Sequence, residues 1–369
     1  MRIAYFTHSL RSCWNHGNAH FQRGLLRALQ AMGRQTCAFE PLDGWSLERL
    51  LASEGEAGLA AFANAYPDLP FQTYDPGAFD AEQALEGFDL VLVHEWTDPS
   101  VAAAIGAARA RGGRFRLFFH DTHHRAVTAP RELARFELGA FDGVLAFAPS
   151  VAEVYERRGW GRRAFVWHEA ADVTRFRPPA AEGPRQGLVW IGNWGDGERA
   201  AELERFLLAP ARDAGLDLDI YGVRYAPEAR ETLAFYGARL HGWLPNAASP
   251  EVYASHLATV HVPRGPYARA LPGAPTIRVF EALACGVPLL SAPWEDCEGL
   301  FRPNRDFLRA RDQTEATRRL RELAAEPELR AALAASGLET IRARHTCAHR
   351  AKELLAIVAQ LEGAKGEAA

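Results

Sequence analysis

Short apolar runs alternate with amphipathic stretches along the first half of the chain. The apolar runs predict buried strands at residues 3–6, 90–93, 115–119 and 144–147. Apolar residues at helical spacing predict helices over 99–111 and 130–138, and residues 46–66 predict an inserted helical segment. This alternation is typical of a parallel sheet that is covered by helices on both faces.

The same alternation restarts after a break rich in proline and glycine. Further strands are predicted at 187–191, 218–222, 258–262 and 287–291, with helices at 198–213, 314–323, 327–344 and 349–361. We therefore predict an α/β protein with two doubly wound, Rossmann-like domains. The predicted limits are 1–174 for the first domain, 175–186 for a linker, 187–348 for the second domain, and 349–369 for a C-terminal helix and tail that packs back on the first domain.

Composition and charge restrict the possible partners. The net charge of −4 over 369 residues gives no reason to expect nucleic acid. Only Lys352 and Lys365 are lysine and the other 40 of the 42 basic residues are arginine, so an anion site must use arginine, backbone amides or histidine. The five scattered cysteines contain no C-x-x-C pair, and no apolar run is long enough for a signal peptide or a transmembrane segment. These features predict a cytoplasmic protein.

The stretch that begins at Pro275 combines a helix start with polar groups. Pro275 and Thr276 open a predicted helix, which Gly286 ends. The start of a helix offers free backbone N–H groups and a partial positive charge, so it can hold a diphosphate. Arg278 lies in the first turn and Glu281 lies three residues later on the same side, where a carboxylate can accept hydrogen bonds from two sugar hydroxyls. The alternative is a surface helix that carries an Arg–Glu pair.

The motif Phe280-Glu281-Ala282-x-Ala284-Cys285-Gly286-x-Pro288 resembles the signature of group-one glycosyltransferases with the GT-B fold. Three other stretches are similar to the same family in order and spacing, namely Trp167 to Pro178, Leu188 to Trp194 and Leu240 to Pro245. The region from Arg302 to Arg350 looks closest to the branch of the spore-maturation protein CgeB. The resemblance is specific from Val166 to Leu355, whereas in the first half it is only architectural.

The resemblance implies two domains that face a central cleft, an acceptor-side first domain and a nucleotide-sugar-binding second domain. It implies a bacterial, metal-independent glycosyltransferase of the hexosyltransferase type, without a cofactor, that retains the anomeric configuration. The acceptor is left open between a glycan, a lipid-linked molecule, a protein and a small molecule. Glu281 is expected to bind the ribose, and arginines at strand ends to neutralise the diphosphate. The expected donor-binding residues are Gly192, Asn193, Arg224, Trp243, Leu244, Arg264, Thr276, Ile277, Arg278 and Glu281. For Arg224 and Arg264 taken singly, the alternative is a solvated arginine.

The sequence departs from the family pattern at Gly273. Many relatives carry a glutamate at this position, eight residues before the second one, and that glutamate contacts the donor sugar. Its absence leaves two alternatives open beside the transferase. One is a protein that binds nucleotide sugars without catalysis, and the other is a nucleotide-sugar epimerase of the same fold.

A cluster of histidines follows the strand predicted at 115–119. The resemblance implies a histidine near the attacked carbon of the donor sugar, so we expect His120 and Asp121 to be catalytic. We expect the strand to end before Asp121, which would expose the His120 side chain at the carboxyl edge of the sheet. A zinc site that includes His123 and His124 is an alternative, and so are plain loop histidines. The loop after the first strand and the end of the next strand supply the expected acceptor-side residues Asn15, His16, Gly17 and His94.

Overall fold

The computed structural model describes residues 1–180, 183–195 and 197–366, with side chains described up to Gly363. Ala181 and Glu182 of the predicted linker, Asp196 in the turn after it, and the last three residues of the predicted tail lie outside the described residues. The chain divides into two compact units. The first unit consists of Met1–Glu169 together with Cys347–Ala369, and the second consists of Ala170–Thr346.

The first unit contains a parallel sheet of seven strands among its described residues. The strands are β1 (Arg2–Phe6), β2 (Gln35–Pro41), β3 (Phe71–Tyr74), β4 (Leu90–His94), β5 (Arg116–Asp121), β6 (Gly143–Ala146) and β7 (Ala164–Val166). Their spatial order is β3-β2-β1-β4-β5-β6-β7. The central strands β1, β4 and β5 are buried along almost their whole length, which explains their continuous apolar sequence.

The first unit also contains helices between these strands. They are α1 (Ala19–Ala31), α2 (Trp45–Glu54), α3 (Glu56–Ala65), α4 (Ala81–Ala84), α5 (Pro99–Ala110), α6 (Arg125–Thr128), α7 (Pro130–Leu133) and α8 (Pro149–Arg158), with 3₁₀ turns at Pro76–Ala78 and Leu138–Ala140. The start of α5 shows how the sequence fixes these elements. The Asp98 side chain accepts a hydrogen bond from the Ser100 N–H at 2.7 Å, and Pro99 occupies the first helical position, where no N–H is needed.

The second unit contains a parallel sheet of six strands in its described part. The strands are β8 (Leu188–Ile191), β9 (Leu218–Tyr221), β10 (Arg239–Gly242), β11 (Ala258–His261), β12 (Leu289–Ser291) and β13 (Leu308–Arg309). Their order is β10-β9-β8-β11-β12-β13. Thus β8 and β11 occupy the same relative positions in this sheet as β1 and β4 occupy in the first.

The helices of the second unit lie between and after these strands along the chain. They are α9 (Ala200–Leu203), α10 (Ala209–Asp213), α11 (Pro227–Phe235), α12 (Ser249–Ala254), α13 (Gly265–Ala270), α14 (Ile277–Ala284), α15 (Gln313–Ala325) and α16 (Pro327–Arg344). A π turn, Glu204–Leu208, joins α9 to α10, and a 3₁₀ turn lies at Asn246–Ala248. The last helix, α17 (Cys347–Gly366), belongs to the first unit. No described helix is both long and apolar enough to cross a membrane.

The prediction of an α/β protein with two parallel sheets is confirmed. Eight of the predicted strands are present, and the inserted segment 46–66 forms α2 and α3. Two details of the prediction are wrong. The helix predicted at 130–138 ends at Leu133, and the helix predicted at 198–213 is interrupted by the π turn. Strands β2, β3, β7 and β13 were not predicted, whereas β10 lies in the stretch Leu240 to Pro245, whose resemblance to the family implied a strand there.

Candidate functional site

The carboxyl ends of β8 and β11 form the switch point of the second sheet. The chain continues from β8 to its neighbour β9 on one side and from β11 to its neighbour β12 on the other. The loops after β8 and β11 therefore lead in opposite directions. Such a crevice is where open α/β sheets bind ligands. The loop after β8 carries Gly192 and Asn193, and the loop after β11 carries Arg264. The structure brings two of these predicted residues into contact, because Nη2 of Arg264 donates to Oδ1 of Asn193 at 3.0 Å.

A second arginine at this switch point was missed by sequence analysis. Arg199 precedes α9, and its guanidinium donates to the carbonyl oxygens of Asn193 at 2.7 Å and Val262 at 2.9 Å. Burial, and then repulsion from Arg264, lower the pKa of Arg199 to about 9. Glu198 pairs with Arg264 at 3.2 Å and offsets part of this repulsion, and an anionic ligand would offset more of it.

The start of α14 is tied to the same switch point. Thr276 occupies the N-cap position, but its hydroxyl forms a hydrogen bond of 3.1 Å with Nε2 of His261 instead of capping the helix. His261 is the last residue of β11, and its Nδ1 lies 3.0 Å from Oγ of Ser291. Burial, followed by repulsion from Arg199, lowers the pKa of His261 to about 3, so this imidazole is neutral. The free N–H groups at the start of α14 carry a partial positive charge, which adds to the charge of the arginines.

The predicted pair of Arg278 and Glu281 forms within α14. Glu281 is fully buried and is paired with Arg278, which is about a quarter exposed. Almost every residue of α14 is buried, including Ile277, so the alternative of a surface helix is wrong although the Arg–Glu pair exists. Arg278 also contributes to lowering the pKa of Arg199, which shows that its charge reaches the switch point.

Two glycine turns approach each other closely beside this crevice. Gly192 follows β8 and Gly222 follows β9. A Cβ atom added to Gly222 would lie 1.9 Å from the carbonyl oxygen of Gly192, so any side chain at 222 would displace the turn that carries Asn193. The hydroxyl of Tyr225 donates to the same Gly192 oxygen at 2.8 Å. Local backbone packing therefore fixes the position of the β8 turn.

Three other predicted donor-binding residues lie beside the strands next to β8. Arg224 follows β9 and is exposed, with a left-handed φ of +64°. Trp243 and Leu244 follow β10 and are half-buried. Nε1 of Trp243 is buried without a hydrogen-bond partner in the described part of the chain. The structure thus places these residues one and two strands away from β8, at the same edge of the sheet.

Gly273 lies beside a cavity of about 400 Å³ in the second unit. Its φ of +79° is in the left-handed region, and an added Cβ would lie 3.2 Å from Cβ of Cys297. A glutamate at this position would therefore be strained. The cavity is also lined by Tyr267, Trp294 and Arg309.

The switch point of the first sheet lies between β1 and β4 and carries histidines. His8 and His16 lie in the loop after β1, and β4 ends at His94. The ring centroids of His8 and His16 are 4.0 Å apart, and those of His8 and His94 are 5.9 Å apart. Burial lowers the pKa of His8 to about 4 and lowers the pKa values of His16 and His94 well below the usual value. These side chains are therefore neutral hydrogen-bonding groups.

The loop after β1 is held in place by polar side chains. The Glu40 carboxylate accepts hydrogen bonds from the N–H groups of Leu10 at 2.5 Å and Arg11 at 3.1 Å. Nδ2 of Asn18 donates to Thr122, which follows β5, at 2.6 Å. The predicted acceptor-side residues Asn15 and Gly17 lie in this loop beside His16, and Asn15 has a left-handed φ of +52°.

The expected exposure of His120 is wrong, because this side chain is fully buried. The strand β5 extends to Asp121 instead of ending before it, since His120 and Asp121 both pair with β6. Nδ1 of His120 forms a hydrogen bond of 2.7 Å with the Tyr5 hydroxyl, whereas its Nε2 is buried without a partner among the described residues. Burial lowers the pKa of His120 to about 3. The ring of Trp167 packs edge-on against it at 4.9 Å.

Asp121 belongs to a buried pair of carboxyl groups. Its carboxylate accepts hydrogen bonds from the Tyr155 hydroxyl at 2.7 Å and from the His123 N–H at 2.9 Å. Burial raises the pKa of Asp121 to about 6 and, together with repulsion from Asp121, raises that of Glu95 well above its usual value. Arg125 pairs with Glu95 at 3.4 Å and partly offsets this repulsion.

The histidines after β5 do not build the alternative metal site. The rings of His123 and His124 are 3.9 Å apart. Over residues 1–180, 183–195 and 197–366, however, no three histidine, cysteine or carboxylate side chains are grouped so that they could hold a metal ion. Metal-independent activity stays a prediction.

Comparison with known proteins gives a partial family match and several structures of similar fold. A family model described as glycosyl transferase-like matches residues 199–356, less than half of the chain. A sucrose-phosphate synthase from Thermosynechococcus elongatus superimposes with a TM-score of 0.69 and 17% identity, over 99% of this chain and 100% of that chain. HepE from Anabaena, solved with UDP and glucose, gives a TM-score of 0.67 and 11% identity, over 97% and 99%. Phage T4 BGT, solved with its UDP-glucose substrate, gives 0.60 and 12%, over 95% and 97%. No curated protein matches the sequence.

The fold is GT-B. Within this GT-B chain, sequence analysis missed Arg199, His261 and His8 as residues at the switch points, whereas it expected Trp96 beside His94 at the end of the same strand. Arg199 could have been found, because it precedes a helix in the same loop as Asn193. His8 lies two residues beyond a strand end, whereas the link from His261 to Thr276 depends on tertiary structure.

Proposed function

We propose that the protein is a glycosyltransferase that moves a sugar from a nucleotide-diphosphate sugar to an acceptor hydroxyl. The observation that carries this proposal is the gathering of Arg199, Arg264 and the start of α14 at the switch point of the second sheet. Breaking the bond to the sugar develops negative charge on the leaving diphosphate, and fixed positive groups stabilise that charge. The family match over residues 199–356 and the UDP complexes of two GT-B neighbours support the same reaction.

We assign the nucleotide to residues around this switch point. Arg199, Arg264 and the first turn of α14 hold the diphosphate, while Gly192 and Asn193 allow its close approach. Arg278 turns from Glu281 towards the diphosphate, and the released Glu281 carboxylate accepts hydrogen bonds from the ribose hydroxyls. In this assignment Thr276 and Ile277 contribute backbone amides. Trp243 and Leu244 contact the base, and Arg224 provides a further positive charge.

We assign the acceptor to the switch point of the first sheet. Asn15, His16, Gly17 and His94 contact the acceptor there. His120 and Asp121 act in catalysis, with His120 as a neutral hydrogen-bonding group. Because Nδ1 of His120 is bonded to the Tyr5 hydroxyl, Nε2 is the atom left to pair with a reacting molecule.

The finer properties of the proposed enzyme follow from the resemblance. It retains the anomeric configuration, transfers a hexose, uses no metal or cofactor, and belongs to the CgeB-like branch of a bacterial, cytoplasmic family. Exhaustive treatment with EDTA should leave turnover unchanged, because arginines and a helix start supply the positive charge that a metal would otherwise provide. Loss of turnover with EDTA and recovery with zinc would contradict this mechanism.

The central experiment is a thermal-shift and calorimetry screen of UDP, GDP, ADP, CDP and dTDP. A ligand of the folded state raises the melting temperature, so at least one diphosphate should do so. Arg264→Gln should weaken its binding by about 1–3 kcal/mol, the value of a charge-assisted hydrogen bond. The matched control is Arg318→Gln, which removes a surface arginine paired with Glu322 on α15. Equal affinity of both variants would refute the site.

A second measurement separates the three candidate activities. The matching nucleotide sugar is incubated in water without acceptor. A transferase hydrolyses it slowly, a binding protein leaves it intact, and an epimerase converts it to another nucleotide sugar. We expect slow hydrolysis without epimerisation.

A further inference from the structure

Trp96 is a large aromatic side chain that remains exposed at the switch point of the first sheet. It follows β4, and 43% of its surface is accessible. The guanidinium of Arg125 lies 4.1 Å from the centre of its ring, and the ring of His123 lies 5.4 Å away. Arg125 is itself anchored by a hydrogen bond of 2.9 Å to the Glu95 carbonyl oxygen. Because the cation covers one face of the indole, a ligand would have to contact another part of the ring.

Two hydrogen-bonding atoms without partners lie near this aromatic surface. The ring of His8 is 6.2 Å from that of Trp96, and the ring of His16 is 4.0 Å from that of His8. Nδ1 of His8 and Nε2 of His16 are buried and have no hydrogen-bond partner among the described residues. His16 is 6% exposed. A ligand hydroxyl at either nitrogen would remove the penalty of an unpaired buried polar atom.

The charges around Trp96 indicate a neutral ligand. The imidazoles of His8 and His16 are uncharged near neutral pH because burial lowers their pKa values. Arg125 is compensated by Glu95 and by Glu132, which lies 3.2 Å from its Nη2. A phosphorylated or otherwise anionic acceptor would therefore meet an arginine that already has two carboxylate partners.

We propose that the switch point of the first sheet binds an uncharged sugar ring as the acceptor, with the apolar face of the sugar on Trp96 and its hydroxyls on His8 and His16. An accessible indole face complements the C–H face of a pyranose, and neutral imidazoles pair with hydroxyls as donor or acceptor. An aromatic ligand without hydroxyls would leave both nitrogens unpaired. The inference rests on the proposed function, of which it specifies the acceptor.

The experiment is saturation-transfer NMR with the methyl glycosides of glucose, galactose, mannose and N-acetylglucosamine, without any nucleotide. We expect at least one glycoside to bind, with the strongest saturation on the protons of one ring face. Trp96→Ala should weaken this binding about tenfold, and Trp96→Phe should retain more of it than Trp96→Ala. The matched control is Phe235→Ala, because Phe235 is 71% exposed at the end of α11 in the second unit, and its variant should bind as the native protein does.

Three results would overturn the inference. The first is that no glycoside binds, and the second is that folded Trp96→Ala binds the glycoside as tightly as the native protein does. The third is that p-cresol, the probe for an aromatic acceptor, or glycerol 1-phosphate, the probe for a phosphorylated acceptor, binds more tightly than the glycosides. Nucleoside diphosphate binding is measured on the same preparations by calorimetry. Glycoside binding without diphosphate binding would refute the proposed transferase while leaving the sugar site in place, and the reverse result would refute the sugar site alone.

Discussion

The ion pair of Arg278 and Glu281 places a fully buried carboxylate one turn inside α14. A buried charge requires a partner, and Arg278 supplies it in the described structure. The same arginine helps to lower the pKa of Arg199. A diphosphate at the switch point would compete for Arg278, and the ribose hydroxyls would then replace it as partners of Glu281. Binding of the diphosphate to Arg278 would therefore favour binding of the ribose to Glu281.

Glu281→Ala should weaken nucleoside diphosphate binding by about 1–3 kcal/mol, through loss of charge-assisted hydrogen bonds to the ribose. Calorimetry with the diphosphate and its 2′,3′-dideoxy analogue measures this loss as a double cycle, in which one change is made in the protein and the other in the ligand. The native protein should prefer the ribose form, and Glu281→Ala should bind both forms equally. If the variant keeps the native preference, Glu281 does not contact the ribose.

His120→Ala should lower kcat by about 10²-fold or more, as expected for a positioned polar group, while diphosphate affinity is unchanged. It should also lower stability, because the Tyr5 hydroxyl loses its 2.7 Å partner inside the core. Tyr5→Phe is the matched control, since it removes the same hydrogen bond but keeps the imidazole. Melting temperature and kcat are measured on the same preparations. Equal kcat losses in the two variants would make His120 a structural residue.

Stability should also depend on the protonation of His120. Its pKa of about 3 lies below the usual 6.5, so the unfolded chain binds more protons between these values. The contribution of neutral His120 is complete above pH 6.5 and is lost as pH falls towards 3, by up to about 1.4 kcal/mol per pH unit. Asp121, with a pKa raised to about 6, acts in the opposite direction between 3.8 and 6.

The measurement is therefore the difference between the native protein and His120→Gln in urea unfolding at several pH values. The variant should lose less stability on acidification. Parallel pH profiles of the two proteins would show that His120 does not titrate below its usual value.

The sequence predicts the contacts of some single residues but not the contacts or burial of others. Asn193 and Arg264 follow strands of a parallel sheet, so their meeting at one edge follows from topology. The burial of His120 depends on Trp167 and Tyr5, which are distant in sequence, and the pattern around 115–119 does not contain that information. Glu281 was predicted from helical spacing, but its burial depends on what packs around α14.

At the scale of secondary-structure elements, the two glycine turns after β8 and β9 determine where the arginines lie. The Gly192 carbonyl fills the space in which a side chain at position 222 would have to fit. The same turn carries Asn193, which accepts from both Arg199 and Arg264. The geometry of the proposed diphosphate site therefore depends on backbone contact as much as on the arginines.

Gly222→Ala should displace the Gly192 turn and weaken diphosphate binding more than tenfold, with a stability loss of about 1–3 kcal/mol from overpacking. Gly139→Ala is the control, because a Cβ there meets no atom within 4 Å. Thermal unfolding and calorimetry give the two quantities. Native diphosphate affinity in Gly222→Ala would show that the turn position is unimportant.

A helix or strand could be predicted from the sequence where one hydrophobic period extended over most of its residues. The helix α16 was predicted with its observed bounds, because Pro327 begins it and Arg344 ends its basic last turn. The π turn Glu204–Leu208 was not predicted, although Pro210 gives a physical reason for it. Proline cannot donate to the carbonyl four residues earlier and clashes with it, and a wider turn relieves that conflict.

At the scale of the whole molecule, the first unit is completed by the last helix of the chain. Buried Ala351, Leu354, Val358 and Leu361 form a helical stripe along α17. Nη2 of Arg116 donates to the Leu361 carbonyl oxygen at 2.9 Å. The apolar period over 349–361 predicted this helix, whereas its contacts with β5 required the structure, because 245 residues separate Arg116 from Leu361.

Deletion of residues 347–369 should therefore destabilise the first unit and leave the second unit intact. Burial of the four stripe residues contributes about 5 kcal/mol or more, and the buried Arg116 guanidinium also loses its acceptor. In calorimetric unfolding, the nucleoside diphosphate from the screen identifies the transition of the second unit by raising its temperature. That shift should persist in the shortened chain while the other transition falls or disappears. A chain shortened only after Gly363 keeps the stripe and should melt as the full chain does. If deletion from 347 instead abolishes the ligand-shifted transition and preserves the other one, α17 stabilises the nucleotide unit and the assignment of this helix to the first unit is wrong.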